Sequence, residues 1–389
     1  MKTDITILIP CLNEVFTLSH CIRSAQSALK ELSRHGLSGE ILISDNGSTD
    51  GSQKIAAEMG CRVTNCAAKG YGNALIHGVK VSEGRYIVMG DADTSYDFLE
   101  AVPMVLKLTE GYDICIGSRF KGRIMRGAMP WKNRYIGNPV LTGLLNLLFR
   151  SGFTDAHCGL RAFTKEAFDK MRLTSPGMEF ASEMVVRATL LNLKRTEVPI
   201  TLYPDKRGRS PHLRPWRDGK RHVKFLFAYA PLKVFFIPSI LMMMFGSMIF
   251  VGLLFTPPYQ TFGFGQLRLG DHWMILAGGI FSIGFQIAIL GTIALFYRVK
   301  EGLASSSSVK LLSKYFTLQN AFFLGTAFIF LAFCIISYVA WEWGRTGFGA
   351  LYRIREMIIA TTFLMMGLQT YFGILLTAII GRDDGQPAV

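Results

Sequence analysis

Two aspartates, Asp91 and Asp93, stand one residue apart directly after the apolar run from Tyr86 to Gly90. Alternate side chains at the end of a strand point the same way, so both carboxylates can bind one cation. Mg²⁺ prefers such oxygen ligands and is often held by one or two carboxylates together with substrate phosphates. The pair therefore indicates a Mg²⁺ or Mn²⁺ site for a diphosphate, although solvated acidic turns also have this spacing.

Apolar runs of strand length alternate with helical segments before residue 230. The runs are Ile5 to Ile9, Glu40 to Ser44, Arg62 to Asn65, Tyr86 to Gly90 and Asp113 to Gly117. This alternation predicts an α/β domain whose mostly parallel sheet is covered on both faces. Ligands bind such sheets beyond the carboxyl ends of the strands. Three polar clusters fall there, at residues 10–14, 45–48 and 91–93.

Other ligands of this scaffold fit less well. A dinucleotide-binding dehydrogenase needs a glycine fingerprint, but Gly70-Tyr-Gly72 is followed by neither a third glycine nor the usual acidic partner. The formal net charge of +14 could indicate nucleic acid. Its densest cluster, however, directly precedes a long apolar run, so anionic lipid head groups are the expected partner. We predict no nucleic-acid binding.

Hydrophobic residues make up 50% of the 389-residue chain and concentrate after residue 230. Four runs extend from Leu232 to Thr256, Trp273 to Tyr297, Leu318 to Trp341 and Met357 to Ile380. Each run is long enough to cross a hydrocarbon core of about 30 Å. The alternative is a set of buried helices in a soluble domain, but four successive helices without polar faces would leave nothing to face the solvent. The sequence therefore predicts an integral membrane protein with four spanning helices.

The distribution of lysine and arginine predicts the orientation. Basic residues precede the first span and occupy the loop between the second and third: Lys206, Arg207, Arg209, Arg214, Arg217, Lys220, Arg221, Lys224, Arg298, Lys300, Lys310 and Lys314. Both segments should be cytoplasmic by the positive-inside rule. The loop with Arg345, Arg353 and Arg355 fits this rule less well. Without a signal-peptide pattern at the N-terminus, we expect a cytoplasmic catalytic domain, with the bacterial inner membrane as the membrane.

This organisation predicts four parts, which are a catalytic domain 1–215, a basic amphipathic juxtamembrane segment 216–231, a membrane domain 232–380 and a cytosolic tail 381–389. The apolar stretch from Pro139 to Arg150 is too short to span, so it is either an interfacial helix or an ordinary buried one. The seven cysteines have no paired spacing and are expected to be free thiols. Assembly into a homo-oligomer stays open.

A series of short motifs runs through residues 1 to 215. They are Pro10-x-x-Asn13-Glu14, Asp45-Asn-Gly-Ser-Thr-Asp50-Gly51, Lys69-Gly-Tyr-Gly72-Asn-Ala74, Asp91-Ala-Asp93, Gly117-Ser-Arg119, Asp155-x-x-Cys-Gly159-Leu-Arg161, Glu197-Val-Pro-Ile200 and Arg207-Gly-Arg-Ser210. In kind and order they resemble glycosyltransferase family 2, and within it the polyprenyl-phosphate glycosyltransferases such as the dolichol-phosphate mannose and glucose synthases.

The resemblance implies a GT-A fold and inverting transfer of a sugar from a UDP- or GDP-linked donor to undecaprenyl or dolichyl phosphate. The residues it implies for donor binding are Pro10, Asn13, Glu14, Asp45, Lys69, Gly72, Asp91 and Arg207. By the same resemblance Asp91 and Asp93 hold the metal, Asp155 is catalytic beside the reacting sugar, and Arg119 and Arg134 receive the lipid phosphate.

Some features depart from this family or leave alternatives. Asn46 replaces a second carboxylate, and Ser95 stands where some members have a further metal ligand. Asp155 could instead cap a helix or pair with Arg161. Two alternative classes of protein remain. One is a processive polysaccharide synthase, although the Gln-x-x-Arg-Trp motif of that class is absent from the sequence. The other is a non-catalytic lipid-carrier scaffold.

Overall fold

The structure is a computed structural model that describes residues 3–206, 215–257, 260–264, 267–300 and 317–381. The chain forms two compact units, Met1–Phe227 and Ala228–Val389. The finer division predicted from the sequence stays a prediction, and nearly all of the predicted tail lies outside the described residues.

A seven-stranded sheet forms the centre of the first unit. Its strands are β1 (Ile5–Cys11), β2 (Gly39–Asp45), β3 (Arg62–Asn65), β4 (Tyr86–Met89), β5 (Ile114–Ile124), β6 (Arg161–Thr164) and β7 (Arg195–Leu202). The order is β3-β2-β1-β4-β6-β5-β7, and β6 alone runs antiparallel to its neighbours. The predicted α/β fold with a mostly parallel sheet is confirmed.

Helices connect these strands, and one more helix follows the last strand. They are α1 (Leu18–Ser33), α2 (Ser52–Glu58), α3 (Tyr71–Val81), α4 (Val102–Thr109), α5 (Asn138–Phe149), α6 (Lys165–Met171), α7 (Phe180–Leu190) and α8 (Pro215–Tyr229). β1 is buried along nearly its whole length, because a parallel strand covered by helices on both faces has no solvent side.

The strand order places a switch point at β1. The chain leaves β1 toward β2 on one side of the sheet, whereas it leaves β4 toward β5 and β6 on the other side. The carboxyl ends of β1 and β4 therefore border the crevice in which α/β proteins bind ligands. The loops after β1, β2 and β4 carry the three polar clusters found in the sequence.

The second unit consists of long apolar helices. They are α9 (Ile237–Leu254), α10 (Asp271–Lys300), α11 (Leu318–Arg345) and α12 (Ile354–Gly381), and a short hairpin of β8 (Phe262–Phe264) and β9 (Leu267–Leu269) precedes α10. Four helical segments, Leu232–Leu254, Asp271–Tyr297, Leu318–Arg345 and Ile354–Ile380, are long and apolar enough to cross a membrane. The four predicted spanning helices are confirmed by length and composition.

Arg355, one of the arginines that fit the positive-inside rule less well, lies in the first turn of α12 and has a structural role in this unit. Its Nε lies 2.7 Å from Oδ1 of Asp271, and its Nη1 donates to the carbonyls of Leu253 and Thr256 at 2.7 and 2.6 Å. Two further ion pairs are Arg345–Glu342 at 3.8 Å and Arg353–Glu356 at 3.0 Å. These arginines are thus balanced locally by carboxylates.

Candidate active site

Asp45 ends β2 at the crevice and is 1% exposed. Its Oδ2 accepts hydrogen bonds from the N–H groups of Gly47 and Ser48 at 2.8 and 2.9 Å and from Nε2 of Gln53 at 2.7 Å. Within the described part of the chain, its buried Oδ1 has no hydrogen-bond partner. Asp45 is therefore held as an acceptor with one oxygen unsatisfied, which is unusual for a buried polar atom.

The loop after β1 is bonded to the loop after β2. Three predicted donor-site residues lie at this strand end: Pro10, Asn13 and Glu14. Asn13 adopts a left-handed conformation with φ of 57°; its N–H donates to Oγ of Ser48 at 2.9 Å and its Oδ1 accepts from the N–H of Thr49 at 2.8 Å. Asparagine tolerates this conformation better than most residues. The structure therefore brings the first two polar clusters together.

Asn46 connects the loop after β3 to these two loops by hydrogen bonds. Its Nδ2 donates to the carbonyls of Cys66 and Ala68 at 3.2 and 2.8 Å, and its Oδ1 accepts from the N–H of Gly70 at 2.8 Å. Lys69, predicted to bind the donor, lies on this loop and donates from Nζ to the carbonyl of Asn46 at 2.7 Å. A carboxylate at position 46 could not donate to two carbonyls, which explains this departure from the family pattern.

Gly72 is explained by packing. A Cβ at this position would lie 2.0 Å from the carbonyl oxygen of Ser175, and the N–H of Gly72 donates to the carbonyl of Pro176 at 2.9 Å. Only glycine allows the two backbones to approach so closely. The predicted contact of Gly72 with the donor stays a prediction.

The two aspartates predicted to hold the metal follow β4. Oδ1 of Asp91 accepts a hydrogen bond from the hydroxyl of Tyr71 at 2.9 Å, and Oδ1 of Asp93 accepts one from the N–H of Ser95 at 2.9 Å. A Cβ on Gly159 would lie 2.5 Å from Oδ2 of Asp91, so glycine leaves room beside that oxygen. Burial, and then the charge of Asp91, raise the pKa of Tyr71 well above its ordinary value, so Tyr71 stays a donor.

These residues fit a divalent cation that is shared with a substrate. Among the described residues there is no group of three or more His, Cys, Asp or Glu side chains that could enclose a metal. Two carboxylates that leave the other coordination positions to water and phosphate oxygens are the arrangement that Mg²⁺ commonly takes. The donor chemistry and the space at Gly159 therefore suit a metal that arrives with a diphosphate.

The backbone beyond Asp93 is strained. Thr94 has a φ of 67°, and its buried hydroxyl has no hydrogen-bond partner in the described parts of the chain. A β-branched residue in this region costs about 1–3 kcal/mol, and such outliers cluster at functional sites. The carbonyl of Asp93 accepts from the N–H of Lys206 at 3.4 Å. The next residue, Arg207, was predicted to bind donor phosphates, but it lies outside the described residues.

Arg119 and Asp155, predicted for different roles, form one buried ion pair. Oδ2 of Asp155 accepts from the backbone N–H of Arg119 at 3.0 Å and from its Nε at 2.6 Å, while Oδ1 accepts from Nη2 at 2.7 Å. The side chains are 9% and 0% exposed. The alternative ion pair with Arg161 is not formed, because Arg161 donates to the carbonyls of Ala156, Cys158 and Ala181.

Arg134 lies on a basic and aromatic surface at the start of α5. Its guanidinium carbon is 5.5 Å from the centroid of the Tyr135 ring. Nζ of Lys132 is 5.9 Å from the centroid of the Trp131 ring. The exposed apolar side chains of this surface, which we call the interfacial surface, are Trp131, Tyr135, Ile136, Val140 and Leu147. Of the two readings of residues 139–150, this exposure favours an interfacial helix, although the buried Thr142 and Leu145 attach one face to the domain.

A buried serine with two histidines joins α8 to the rest of the first unit. Oγ of Ser182 lies 2.7 Å from Nδ1 of His222 and 3.1 Å from Nε2 of His157. Burial, followed by the charges of His222 and nearby arginines, lowers the pKa of His157 well below its ordinary value. His222 and Leu226 are buried while Lys220 and Lys224 are exposed, so α8 has the predicted amphipathic character.

Sequence reasoning assigned no function to Tyr71 or to the histidine pair. Tyr71 lies within the motif Lys69-Gly-Tyr-Gly72, and its hydroxyl is the feature of the sequence that could have indicated a role. All seven cysteines lie in described ranges and are free, as predicted.

The α/β unit with its two-aspartate loop and the four apolar helices define a membrane-associated GT-A glycosyltransferase. Comparison with known families agrees with this class. The family model for glycosyl transferase family 2 matches residues 6–172, and that for the family 2 C-terminal transmembrane region matches residues 292–381. The low-salt glycan biosynthesis hexosyltransferase Agl6 of Haloferax volcanii is 32% identical over 380 residues, covering 97% of this chain and 89% of that protein. The chain therefore belongs to glycosyltransferase family 2, and it is a membrane protein.

Other relatives match the first unit. The glycosyltransferase AglJ of Haloferax volcanii is 35% identical over 216 residues, covering 55% of this chain and 68% of that protein. The dolichyl-phosphate hexose transferase of the same organism is 31% identical over 177 residues, covering 45% and 74%. A solved structure, glucosyl-3-phosphoglycerate synthase from Mycobacterium tuberculosis with Mn²⁺ and UDP, is 20% identical with a TM-score of 0.44, covering 59% of this chain and 80% of that chain.

Proposed function

We propose that this enzyme transfers a sugar from a nucleoside-diphosphate sugar to a polyprenyl phosphate at the cytoplasmic face of a membrane. The observation that carries the proposal is the presence of two complementary groups in one unit. These are the two-aspartate loop at the switch point and the buried arginine fork of Arg119. The first suits a metal-bound diphosphate and the second suits a phosphate nucleophile. The dolichyl-phosphate hexose transferase among the relatives supports the same acceptor class.

On the donor side, Asp45 and the loops joined by Asn13 and Asn46 would bind the nucleoside. The unsatisfied Oδ1 of Asp45 would accept a hydrogen bond from an N–H of the base, which relieves the cost of a buried unpaired acceptor. Asp91 and Asp93 would hold the divalent metal, which when bound neutralises the leaving diphosphate. Tyr71 and Ser95 orient the two carboxylates through their hydrogen bonds.

On the acceptor side, Arg119 would receive the lipid phosphate. The phosphate is already anionic near neutral pH, so its attack on the sugar requires placement more than proton removal. Asp155 engages Arg119 with both carboxylate oxygens, which supports an orienting role for Asp155 over a proton-transfer role. Arg119 therefore has a fixed fork geometry that matches phosphate.

The interfacial surface would bring this site to the lipid. Exposed aromatic side chains beside lysine and arginine favour the head-group region of a bilayer, where the acceptor phosphate lies. Arg134 belongs to this surface and would meet the phosphate at the membrane. Holding the active site there replaces a three-dimensional search for the acceptor with a local one.

The test uses full-length protein in lipid nanodiscs with a panel of UDP- and GDP-sugars and undecaprenyl or dolichyl phosphate. A single polyprenyl-phosphate sugar should form in the presence of Mn²⁺ or Mg²⁺. Asp91→Asn and Asp93→Asn should each lower the rate at least ~100-fold, equivalent to about 2.7 kcal/mol of barrier. Asp169→Asn, at an exposed position of α6, is the control.

Two results would refute the proposal. Polymer formation without a lipid-linked monosaccharide would identify a processive synthase. No product from any donor in a protein that still binds nucleotide and metal would support the non-catalytic scaffold.

A further inference from the structure

Glu197 on β7 is the first residue of the motif Glu197-Val-Pro-Ile200. Its side chain has no role in the proposed reaction. Its carboxylate is nearly buried, with 4% of the side chain exposed. Oε1 accepts hydrogen bonds from the backbone N–H groups of Thr154 at 2.6 Å and Asp155 at 3.2 Å, and Oε2 accepts from the hydroxyl of Thr154 at 3.0 Å. One buried carboxylate therefore binds both N–H groups of the dipeptide that carries Asp155.

The sheet does not orient Arg119 by itself. β5 and β7 pair in parallel with Ile116 opposite Glu197, but the register shifts between Ser118 and Arg123. Arg119 lies within this irregularity, where ladder hydrogen bonds no longer determine the direction of a side chain. Its orientation must therefore come from side-chain contacts.

Those contacts lead from Glu197 to Arg119. Glu197 fixes the backbone at Thr154 and Asp155, and Asp155 then directs both carboxylate oxygens at the backbone N–H, Nε and Nη2 of Arg119. In the described part of the chain, Nη1 of Arg119 makes no hydrogen bond to protein. This arrangement leaves one edge of the guanidinium for a ligand and holds the other edge rigidly.

We propose that Glu197 is a positioning residue for the acceptor phosphate, acting through the backbone of Asp155 on Arg119. This inference rests on the acceptor role given to Arg119 under the proposed function. Preorganised donors bind a phosphate without an ordering cost at each encounter. Loss of Glu197 should therefore weaken use of the lipid phosphate and leave nucleotide binding unchanged.

Lys121 gives a matched control, because it pairs with Glu197, whereas the hydrogen bonds of the described Thr154 and Asp155 to Glu197 do not involve it. Its Nζ lies 2.8 Å from Oε2 of Glu197, and its side chain is 50% exposed. A half-exposed ion pair contributes little, so Lys121→Ala should behave like wild type. Glu197→Gln retains an oxygen that can accept both backbone N–H groups, whereas Glu197→Ala removes it.

The experiment compares Glu197→Ala, Glu197→Gln and Lys121→Ala as full-length proteins in nanodiscs. Hydrogen exchange of the amides of Thr154 and Asp155 measures how firmly Glu197 holds these two backbone groups, without any assay of activity. Steady-state kinetics give KM for polyprenyl phosphate, and calorimetry gives the affinity for UDP or GDP with Mn²⁺.

For Glu197→Ala we expect exchange at Thr154 and Asp155 to rise at least about tenfold, because each amide loses its acceptor. We also expect KM for polyprenyl phosphate to rise about tenfold with nucleotide affinity within about twofold, since only a phosphate contact is loosened. Glu197→Gln should restore both quantities to within about threefold of wild type.

Unchanged exchange in Glu197→Ala would show that Glu197 does not hold the backbone at Thr154 and Asp155. Equal losses of nucleotide affinity and of acceptor use would show that this contact does not serve the acceptor in particular. A loss in Lys121→Ala as large as in Glu197→Ala would show that the ion pair matters instead. Failure of the proposed function looks different, because wild type would then make no lipid-linked sugar while the exchange result would still stand.

Discussion

The hydroxyl of Tyr71 donates a 2.9 Å hydrogen bond to Oδ1 of Asp91, joining the first turn of α3 to the loop after β4. Tyr71 lies between two glycines, and the glycine at position 72 packs directly against the carbonyl oxygen of Ser175. The backbone on either side of Tyr71 is therefore closely packed, and its hydroxyl reaches one of the two aspartates predicted to hold the metal. This hydrogen bond directs Oδ1 of Asp91 toward α3.

Tyr71→Phe should weaken Mn²⁺ binding in the presence of UDP or GDP by about 10–150-fold, because a lost hydrogen bond to a charged group is worth about 1.5–3 kcal/mol. Calorimetric titration of Mn²⁺ measures this directly. Tyr112→Phe is the control, since Tyr112 lies between the turn after α4 and the start of β5. Equal metal affinity in wild type and Tyr71→Phe would show that Asp91 does not need the tyrosine.

Gly159→Ala should impair the same site by steric means. The added Cβ would lie 2.5 Å from Oδ2 of Asp91 and 3.0 Å from Cε2 of Tyr96, so the carboxylate must move. We expect at least ~10-fold weaker metal binding. Gly143→Ala in α5 is the matched control, because no atom lies within 4 Å of its new Cβ. This control should raise stability by about 0.5–1 kcal/mol.

The buried pair of Arg119 and Asp155 should respond unequally to single and double substitution. Asp155→Ala leaves a buried guanidinium without its partner, and breaking such a pair costs about 3–5 kcal/mol. Asp155→Leu combined with Arg119→Met removes both charges and should lower Tm less than Asp155→Ala does. Thermal unfolding in nanodiscs measures the order. A double variant with the lowest Tm would mean that packing dominates over charge.

Arg119→Lys separates charge from geometry. It keeps the positive charge but loses the fork, so KM for polyprenyl phosphate should rise at least ~10-fold while nucleotide affinity stays unchanged. Arg134→Lys should have a smaller effect, because Arg134 lies on the interfacial surface. If Arg119→Lys used the acceptor as well as wild type, bidentate recognition of phosphate would be wrong.

The stability of the folded protein should decrease as pH is lowered, and His157 should contribute to this decrease. Its pKa in the folded protein is well below its ordinary value, so the unfolded chain takes up a proton first as pH falls below about 6.5. The folded state therefore loses up to about 1.4 kcal/mol per pH unit until His157 itself is protonated. Tm measured from pH 7.5 to 5.0 should decline less steeply in His157→Gln than in wild type. Parallel declines would assign the effect to other groups.

Much of the architecture could be predicted because its signals are local in the chain. Continuous apolar runs marked β1, β2 and β4, and length with composition marked the four apolar helices. The two aspartates one residue apart predict a metal site, since a strand end alone orients such a pair. β6 was missed as a strand because it has only four residues, Arg-Ala-Phe-Thr. β7 was missed although Val198, Ile200 and Leu202 alternate with less apolar residues.

The partners of the key side chains were decided by tertiary structure alone. Asp155 has a nearby arginine six residues away in Arg161, yet it pairs with Arg119, 36 residues distant. Glu197 reaches Thr154 across 43 residues, and Tyr71 reaches Asp91 across 20. The first two pairs form because β6 inserts antiparallel between β4 and β5 and because β7 pairs with β5. Strand neighbours and register are set by packing of the whole sheet, so no short stretch of sequence determines which charges meet.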